Sequence, residues 1–258
     1  MAGDILLERD GGLATVTLFN PGKLNAIDAA MWRRLALVMA ELDAEDGLRA
    51  IVVRGEGAAF AAGGDLDEFR TQRADADKAI AYHETVGRAL AAVETCRHPT
   101  VASIRGPCVG GGLEIACACD LRLGGESARL GAPINKLGFS MYPGELAGLL
   151  RIGGPAVTRE ILLEGRLLTA HEAYAKGLLT RVLPDGAVEG EALATARRIA
   201  DGAPLAARAH KHWIARLLDG KPLSEQEKRA SFDFLDSEDY REGLAAFAEK
   251  RRPVFKGR

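Results

Sequence analysis

Apolar residues along the chain fall into two patterns that alternate. Residues 5–9 and 14–18 read as short strands, with Asp10-Gly11-Gly12 as the turn between them. From about Asp28 the period changes: Met31, Leu35, Val38 and Leu42 recur at helical spacing, and Asp28 is placed to cap that helix. AIVVRG at 50–55 and TVASIRG at 100–106 are apolar without alternation, which suits parallel strands covered on both faces. A mixed polar and apolar helix over about 75–96 is long enough to cross from one to the other. A third strand is expected near 120–123. This strand–helix–strand rhythm predicts an α/β core.

From Gly144 onward the pattern is helical, with segments near 144–152, 155–164, 170–176, 190–202, 204–219, 223–236 and 238–250. RVLP at 181–184 is the one late strand candidate. No internal repeat or low-complexity tract interrupts the chain. Gly202-Ala203-Pro204 suggests a boundary, dividing an α/β core at 1–202 from a helical subdomain at 203–258.

Composition narrows the classes of function. Lys and Arg number 34 against 36 Asp and Glu, a net charge of −2 that argues against a general nucleic-acid or anionic-membrane surface. No run reaches the roughly 18 apolar residues of a membrane span. The start, MAGDILLERD, lacks the basic and apolar pattern of a secretory leader. Cys96, Cys108, Cys117 and Cys119 have neither paired C-x-x-C spacing nor a nearby histidine set, so no metal site is expected. Buried free thiols in a reducing cytoplasm are the expectation. His98, His210 and His212 read as surface residues.

Two glycine-rich corners stand out. FAAGGDLDEF at 60–69 and GPCVGGGLEIACACD at 106–120 each follow a strand and precede a helix. Glycine costs about 1 kcal/mol relative to alanine inside a helix, so Gly110 to Gly112 need a local cause. Either the backbone packs closely there, or it approaches a ligand. Unsatisfied N–H groups at two adjacent helix starts could hold one oxygen anion. Glu114 has two explanations as well: a carboxylate offsetting its helix dipole, or an acid with a chemical task. Neither corner is a phosphate loop, because no Gly-Lys-Ser/Thr follows and no G-x-G-x-x-G occurs.

These two corners, NPGKLNAI at 20–27 and the ending EGLAAFAEKRRPVFKGR together resemble the enoyl-CoA hydratase/isomerase (crotonase) family, in order and over essentially the whole chain. The resemblance implies a crotonase-like (ClpP/crotonase) fold of repeated ββα units with a C-terminal helical subdomain. It implies an acyl-CoA thioester as substrate, a place in fatty acid metabolism, and trimers or dimers of trimers. No separate cofactor is implied, since coenzyme A is part of the substrate. By position it assigns the oxyanion N–H groups to Gly64 and Gly111 and the proton-transfer role to Glu114. It places the coenzyme along Lys23, Ala62, Gly64, Asp65, Leu66, Asp67 and Gly111. Phe247 and Lys250 would lie near its adenine and phosphate end, from this or a neighbouring subunit; Lys250 equally suits a solvated charged tail.

One departure bears on the reaction. Hydratases of the family carry a second glutamate in a P-E-I stretch, and in GAPINKLGFSMYPGE at 131–145 that place holds Ile134. Two residues are also inserted before Pro143, and Lys136, Ser140, Tyr142 and Glu145 are the nearby polar residues. Water addition divides naturally between two carboxylates. A single one predicts weak hydration by a lyase of this type, with α-proton exchange, isomerisation, decarboxylation or thioester hydrolysis as rivals. A non-catalytic acyl-CoA or RNA binder is the rival of another class. Ile134, Phe139, Met141, Leu149 and Leu150 suit an acyl pocket or an ordinary core, and Tyr142 and Glu145 are placed at the same acyl pocket.

Overall fold

The computed structural model describes residues 3–258; Met1 and Ala2, the first residues of the stretch read above for a leader, lie outside the described residues. Strands β1 (Asp4–Asp10) and β2 (Leu13–Phe19) pair antiparallel. From β2 the main sheet continues in parallel through β3 (Ala50–Gly55), β4 (Thr100–Ile104), β6 (Leu121–Gly125) and β9 (Arg181–Leu183). β3 explains its own unbroken apolarity. Ile51 and Val53 enter the larger core, while Ala50 and Val52 join a second cluster with Val188, Ala192 and Ala196 of α7 (Val188–Ala200). Both faces of the strand are therefore dry.

The larger core is closed by α1 (Ala29–Asp43) and α3 (Ala76–Thr95). Met31, Leu35, Val38 and Leu42 are all buried on α1, as their spacing predicts. Asp28 accepts a hydrogen bond of 2.7 Å from the Met31 N–H, a cap worth about 1 kcal/mol.

A second, smaller layer was not foreseen. β5 (Pro107–Val109) pairs parallel with β7 (Arg129–Gly131), which pairs antiparallel with β8 (Leu168–Thr169). Ala61 joins this layer beside Cys108: its N–H donates to Pro107 O, and Val109 N–H donates to Ala61 O, both at 3.0 Å. Strands of two or three residues carry too little periodicity to be read from sequence. This layer, not the main sheet, carries the two glycine corners.

The helices after Gly144 differ from expectation in detail. Segments 144–152 and 155–164 form α5 (Pro143–Arg159), broken at Gly154 with φ 65° and followed by a wider turn over Glu160–Glu164. The stretch 223–236 holds only the short α9 (Glu225–Ala230) and a tight turn at Asp233–Asp236. α8 (Pro204–Leu218) and α10 (Glu238–Ala248) match the pattern. Among the described residues no helix is long and apolar enough to cross a membrane.

His98 corrects the sequence reading. It is buried (0% exposed), not on the surface, because Lys211 of α8 closes over the turn before β4 and donates to His98 O at 3.3 Å. Neither ring nitrogen finds a partner among the described residues. Burial, and then the charges of Arg208 and Arg97, push its pKa down to about 4. His210 and His212 are exposed, as expected, and all four cysteines are buried and free.

Candidate active site

The site begins with backbone. At the end of α1's leading loop, Ile27 N–H donates to Gly63 O (2.8 Å) and Ile27 O accepts from Asp65 N–H (2.9 Å). Successive N–H groups in extended chain point to opposite sides, so the Gly64 N–H between them faces away from Ile27. The second corner lies on that other side, since Gly63 approaches Val109 O and Gly110 approaches the Gly63 Cα. Gly110 donates to Gly131 O and takes φ 48°, ψ −116°, a conformation reserved for glycine. That turn starts α4 (Gly111–Ala118) and leaves the Gly111 N–H at its open end. Among the described residues neither Gly64 N–H nor Gly111 N–H has an acceptor. A Cβ on Gly111 would sit 2.9 Å from the Trp32 ring, which explains why the first helical residue is also glycine.

Both corners border a cavity of about 220 Å³, and Glu114 looks into it. Its N–H closes the first turn of α4 on Gly110 O at 2.9 Å. Its neighbours Leu113, Ile115, Ala116 and Cys117 are all buried, so the carboxyl is the one acid on an otherwise apolar helix. Burial holds its pKa well above the ordinary carboxylate range; the charge of Glu145 adds to this and that of Arg73 opposes it. Burial therefore favours the protonated form of Glu114.

The opposite wall is made of side chains from distant elements. α2 (Leu66–Gln72), capped by Asp65, contributes Phe69 and leads into Arg73. α3 contributes Tyr82, His83 and Val86, and the 133–142 segment contributes Ile134, Phe139, Met141 and Tyr142. Glu145 enters from the first turn of α5, where Pro143 starts the helix, and is buried (7% exposed). Its Oε1 lies 2.5 Å from His83 Nδ1, and the His83 ring stacks on Tyr142 with centroids 4.8 Å apart. Burial pushes the Tyr82 hydroxyl up to about 12, leaving it a donor rather than an ion.

The cavity therefore holds two carboxyl groups. Ile134 lines it as an apolar residue. The expectation of a one-acid site fails all the same, because the inserted residues deliver Glu145 to the same space. His83, Tyr82 and Arg73 were missed. They belong to the crossover helix and to the end of the short helix before it, and only a Tyr-His pair between two glycine corners marks them in the sequence.

Of the residues predicted for the coenzyme, Ala62, Gly64, Leu66 and Gly111 border the cavity. Lys23 is not a bare cation: its Nζ lies 2.7 Å from Asp65 and 2.8 Å from Asp67. Asn25 is buried in the same loop and donates to Glu56 O and Ala59 O, pinning it to the first corner. Phe247 (87% exposed) and Lys250, at the end of α10, do not border the cavity in a single chain. Leu149 belongs to the core and Leu150 is exposed, so neither belongs to the pocket. Among the described residues no group of His, Cys, Asp and Glu is placed to hold a metal ion.

The parallel α/β core with its helical C-terminal part is that of the crotonase-like fold. Comparison with known proteins agrees. Residues 8–258 match the model of the enoyl-CoA hydratase/isomerase family. A probable enoyl-CoA hydratase of Mycobacterium bovis is 38% identical over 97% of each chain. The crystal structure of an enoyl-CoA hydratase/carnithine racemase from Magnetospirillum magneticum superposes with a TM-score of 0.97 at 50% identity, covering 98% of this chain and 96% of that one. A family protein from Hyphomonas neptunium gives 0.94 at 36%, covering 98% of each. The chain belongs to the enoyl-CoA hydratase/isomerase family.

Proposed function

We propose that this protein hydrates 2-enoyl-CoA thioesters, with two carboxyl groups and a backbone oxyanion hole. The observation that carries the reading is the shared cavity of Gly64, Gly111, Glu114 and Glu145. The thioester carbonyl oxygen is held by the Gly64 and Gly111 N–H groups and takes up negative charge as the enolate forms. Donors fixed in advance at such an oxygen are worth about 3 kcal/mol each. Glu145, steadied by His83, takes a proton from water while the water oxygen bonds to the β carbon. Glu114, whose hold on a proton is strengthened by burial, gives that proton to the α carbon as the enolate collapses. A proton then passes from Glu145 back to Glu114 through solvent before the next turnover.

The coenzyme runs along Ala62, Leu66 and the Lys23–Asp65–Asp67 cluster. Assembly as a trimer or dimer of trimers would bring α10 of a neighbouring copy, with Phe247 and Lys250, toward it. Exposed Ile214, Leu218 and Leu244 on the C-terminal helices, and Phe232 in the turn after α9, support such packing. The buried free thiols support a cytoplasmic location.

The test is crotonyl-CoA in deuterated water with the parent, Glu114→Gln and Glu145→Gln. The expected result is 3-hydroxybutyryl-CoA carrying α-deuterium from the parent, with a severe loss in each variant. Rapid hydration by Glu145→Gln would return the site to a single acid. Release of free coenzyme A without hydration would make the protein a thioester hydrolase.

A further inference from the structure

Arg73 is the cavity's unclaimed charge. It caps the C-terminal end of α2, where its N–H donates to Phe69 O, and its side chain turns back over the cavity. The guanidinium carbon lies 3.8 Å from the Phe69 ring centroid, 4.7 Å from that of Phe139 and 5.5 Å from that of Tyr82. Three aromatic rings hold it in place. They supply no hydrogen-bond acceptor in the plane of the fork, and a guanidinium carries five N–H donors. Among the described residues none of these N–H groups meets an acceptor and no carboxylate lies within ion-pair distance, while Nε is buried as well. Nearly every other buried or half-buried arginine here has such a partner: Arg122 meets Leu178 O and Cys119 O, and Arg216 meets Glu227.

The two acids of the cavity do not fill the gap. Glu145 is engaged by His83, and among the described residues Glu114 makes no hydrogen bond or ion pair with Arg73. Arg73 also borders a shallower groove with Leu66, Arg70, Leu137 and Phe139, so it stands where the inner cavity meets the surface. Stacking on aromatic rings is worth about 0.5–2 kcal/mol and accounts for the position of the cation. It leaves the planar donor edge unsatisfied. That edge matches a carboxylate in two parallel hydrogen bonds.

We infer that the acyl group this enzyme prefers carries a carboxylate at the end away from the thioester, and that Arg73 receives it. The inference rests on the acyl-CoA reading above and names its substrate class: thioesters of dicarboxylic acids rather than of plain fatty acids. The apolar cavity walls take the methylene chain, and the aromatic rings fix the guanidinium so that little freedom is lost on binding. A methyl-ended chain of equal length would leave the fork unpaired and displace its water for nothing.

Binding separates this inference from the chemistry. Saturated acyl-CoA thioesters cannot be hydrated, so a short series of chain lengths, each methyl-ended member matched with a carboxyl-ended one, is titrated calorimetrically against the parent, Arg73→Met and Arg73→Lys. Free coenzyme A is included. At the best-fitting length the carboxyl-ended thioester should bind the parent roughly 10- to 100-fold tighter than its methyl-ended partner, as charged hydrogen bonds warrant. Arg73→Met should abolish that ratio, and Arg73→Lys should keep part of it. Equal or tighter binding of the methyl-ended series at every length overturns the inference while leaving the acyl-CoA reading intact. An equal loss for free coenzyme A in Arg73→Met assigns the arginine to the coenzyme and also overturns it. No binding of any thioester would overturn both.

Discussion

The two walls of the cavity are built on different principles. One is backbone: Gly63, Gly64, Gly110 and Gly111 are set by hydrogen bonds to Ile27 and Gly131 in a short ladder. The other is side chain: Arg73, Tyr82, His83 and Glu145 come from three helices that meet only in the folded protein. The backbone wall tolerates almost no change in residue type, because a Cβ at Gly111 meets Trp32 and one at Gly112 comes within 2.6 Å of Ala61 O. The side-chain wall depends instead on how α2, α3 and α5 pack against one another.

The largest test of this contrast lies in the two acids. Glu114→Gln and Glu145→Gln should each lower crotonyl-CoA hydration about 10²- to 10⁴-fold, or about 3–5 kcal/mol of transition-state stabilisation. Because Glu114 must be protonated to act, the parent's kcat/KM should fall as pH rises through that raised pKa. Glu114→Gln should lack this alkaline limb. A parent profile flat through the alkaline range would assign the acid to another group.

On the backbone wall, Gly111→Pro removes a donor and should cost about 3 kcal/mol, roughly a hundredfold in rate. Circular dichroism and thermal melting establish that the variant is folded. A folded Gly111→Pro with parental turnover would remove that N–H from the reaction.

His98 lies outside the cavity and sharpens the comparison from a third place. Its folded pKa, about 4, is depressed from 6.5, so its contribution to stability is complete above pH 6.5 and is lost as pH falls toward 4. The full span corresponds to at most about 3 kcal/mol. Denaturant titrations at pH 7 and pH 4.5 should show that loss in the parent and much less of it in His98→Gln. Equal acid sensitivity in both proteins would place the titrating group elsewhere.

The smallest expected effect is at His83, which orients Glu145 rather than touching substrate. His83→Phe keeps the stack on Tyr142 and removes one hydrogen bond, so hydration should fall about fivefold, near 1 kcal/mol. The loss should appear in kcat more than in KM. A loss confined to KM would make His83 part of the acyl pocket.

What was legible from sequence follows the same division. The α/β core could be read because covered strands such as 50–55 and the stripe of Met31, Leu35, Val38 and Leu42 must satisfy burial locally. The glycine corners could be read because glycine is demanded by backbone conformation and close packing, and that demand is written at consecutive positions. Element ends after Gly144 were less clear, since a single Gly154 sets the break in α5 and the short β5–β7–β8 layer has no period to detect. The side-chain wall could be read only in part: Ile134, Phe139, Met141, Tyr142 and Glu145 could be placed at a pocket, but Arg73, Tyr82 and His83 could not. Glu145, His83 and Arg73 are separated by up to 72 positions, and their meeting depends on how α2, α3 and α5 pack. His98 was misread for the same reason, because its burial is imposed by α8 from more than 100 residues away. The sequence by itself determined the longer strands, the main helices and the two glycine corners, since each answers to forces acting within a few residues. Only the tertiary structure decided which acids and which cation share the cavity, because burial and electrostatic coupling act through space between elements that the chain order keeps apart.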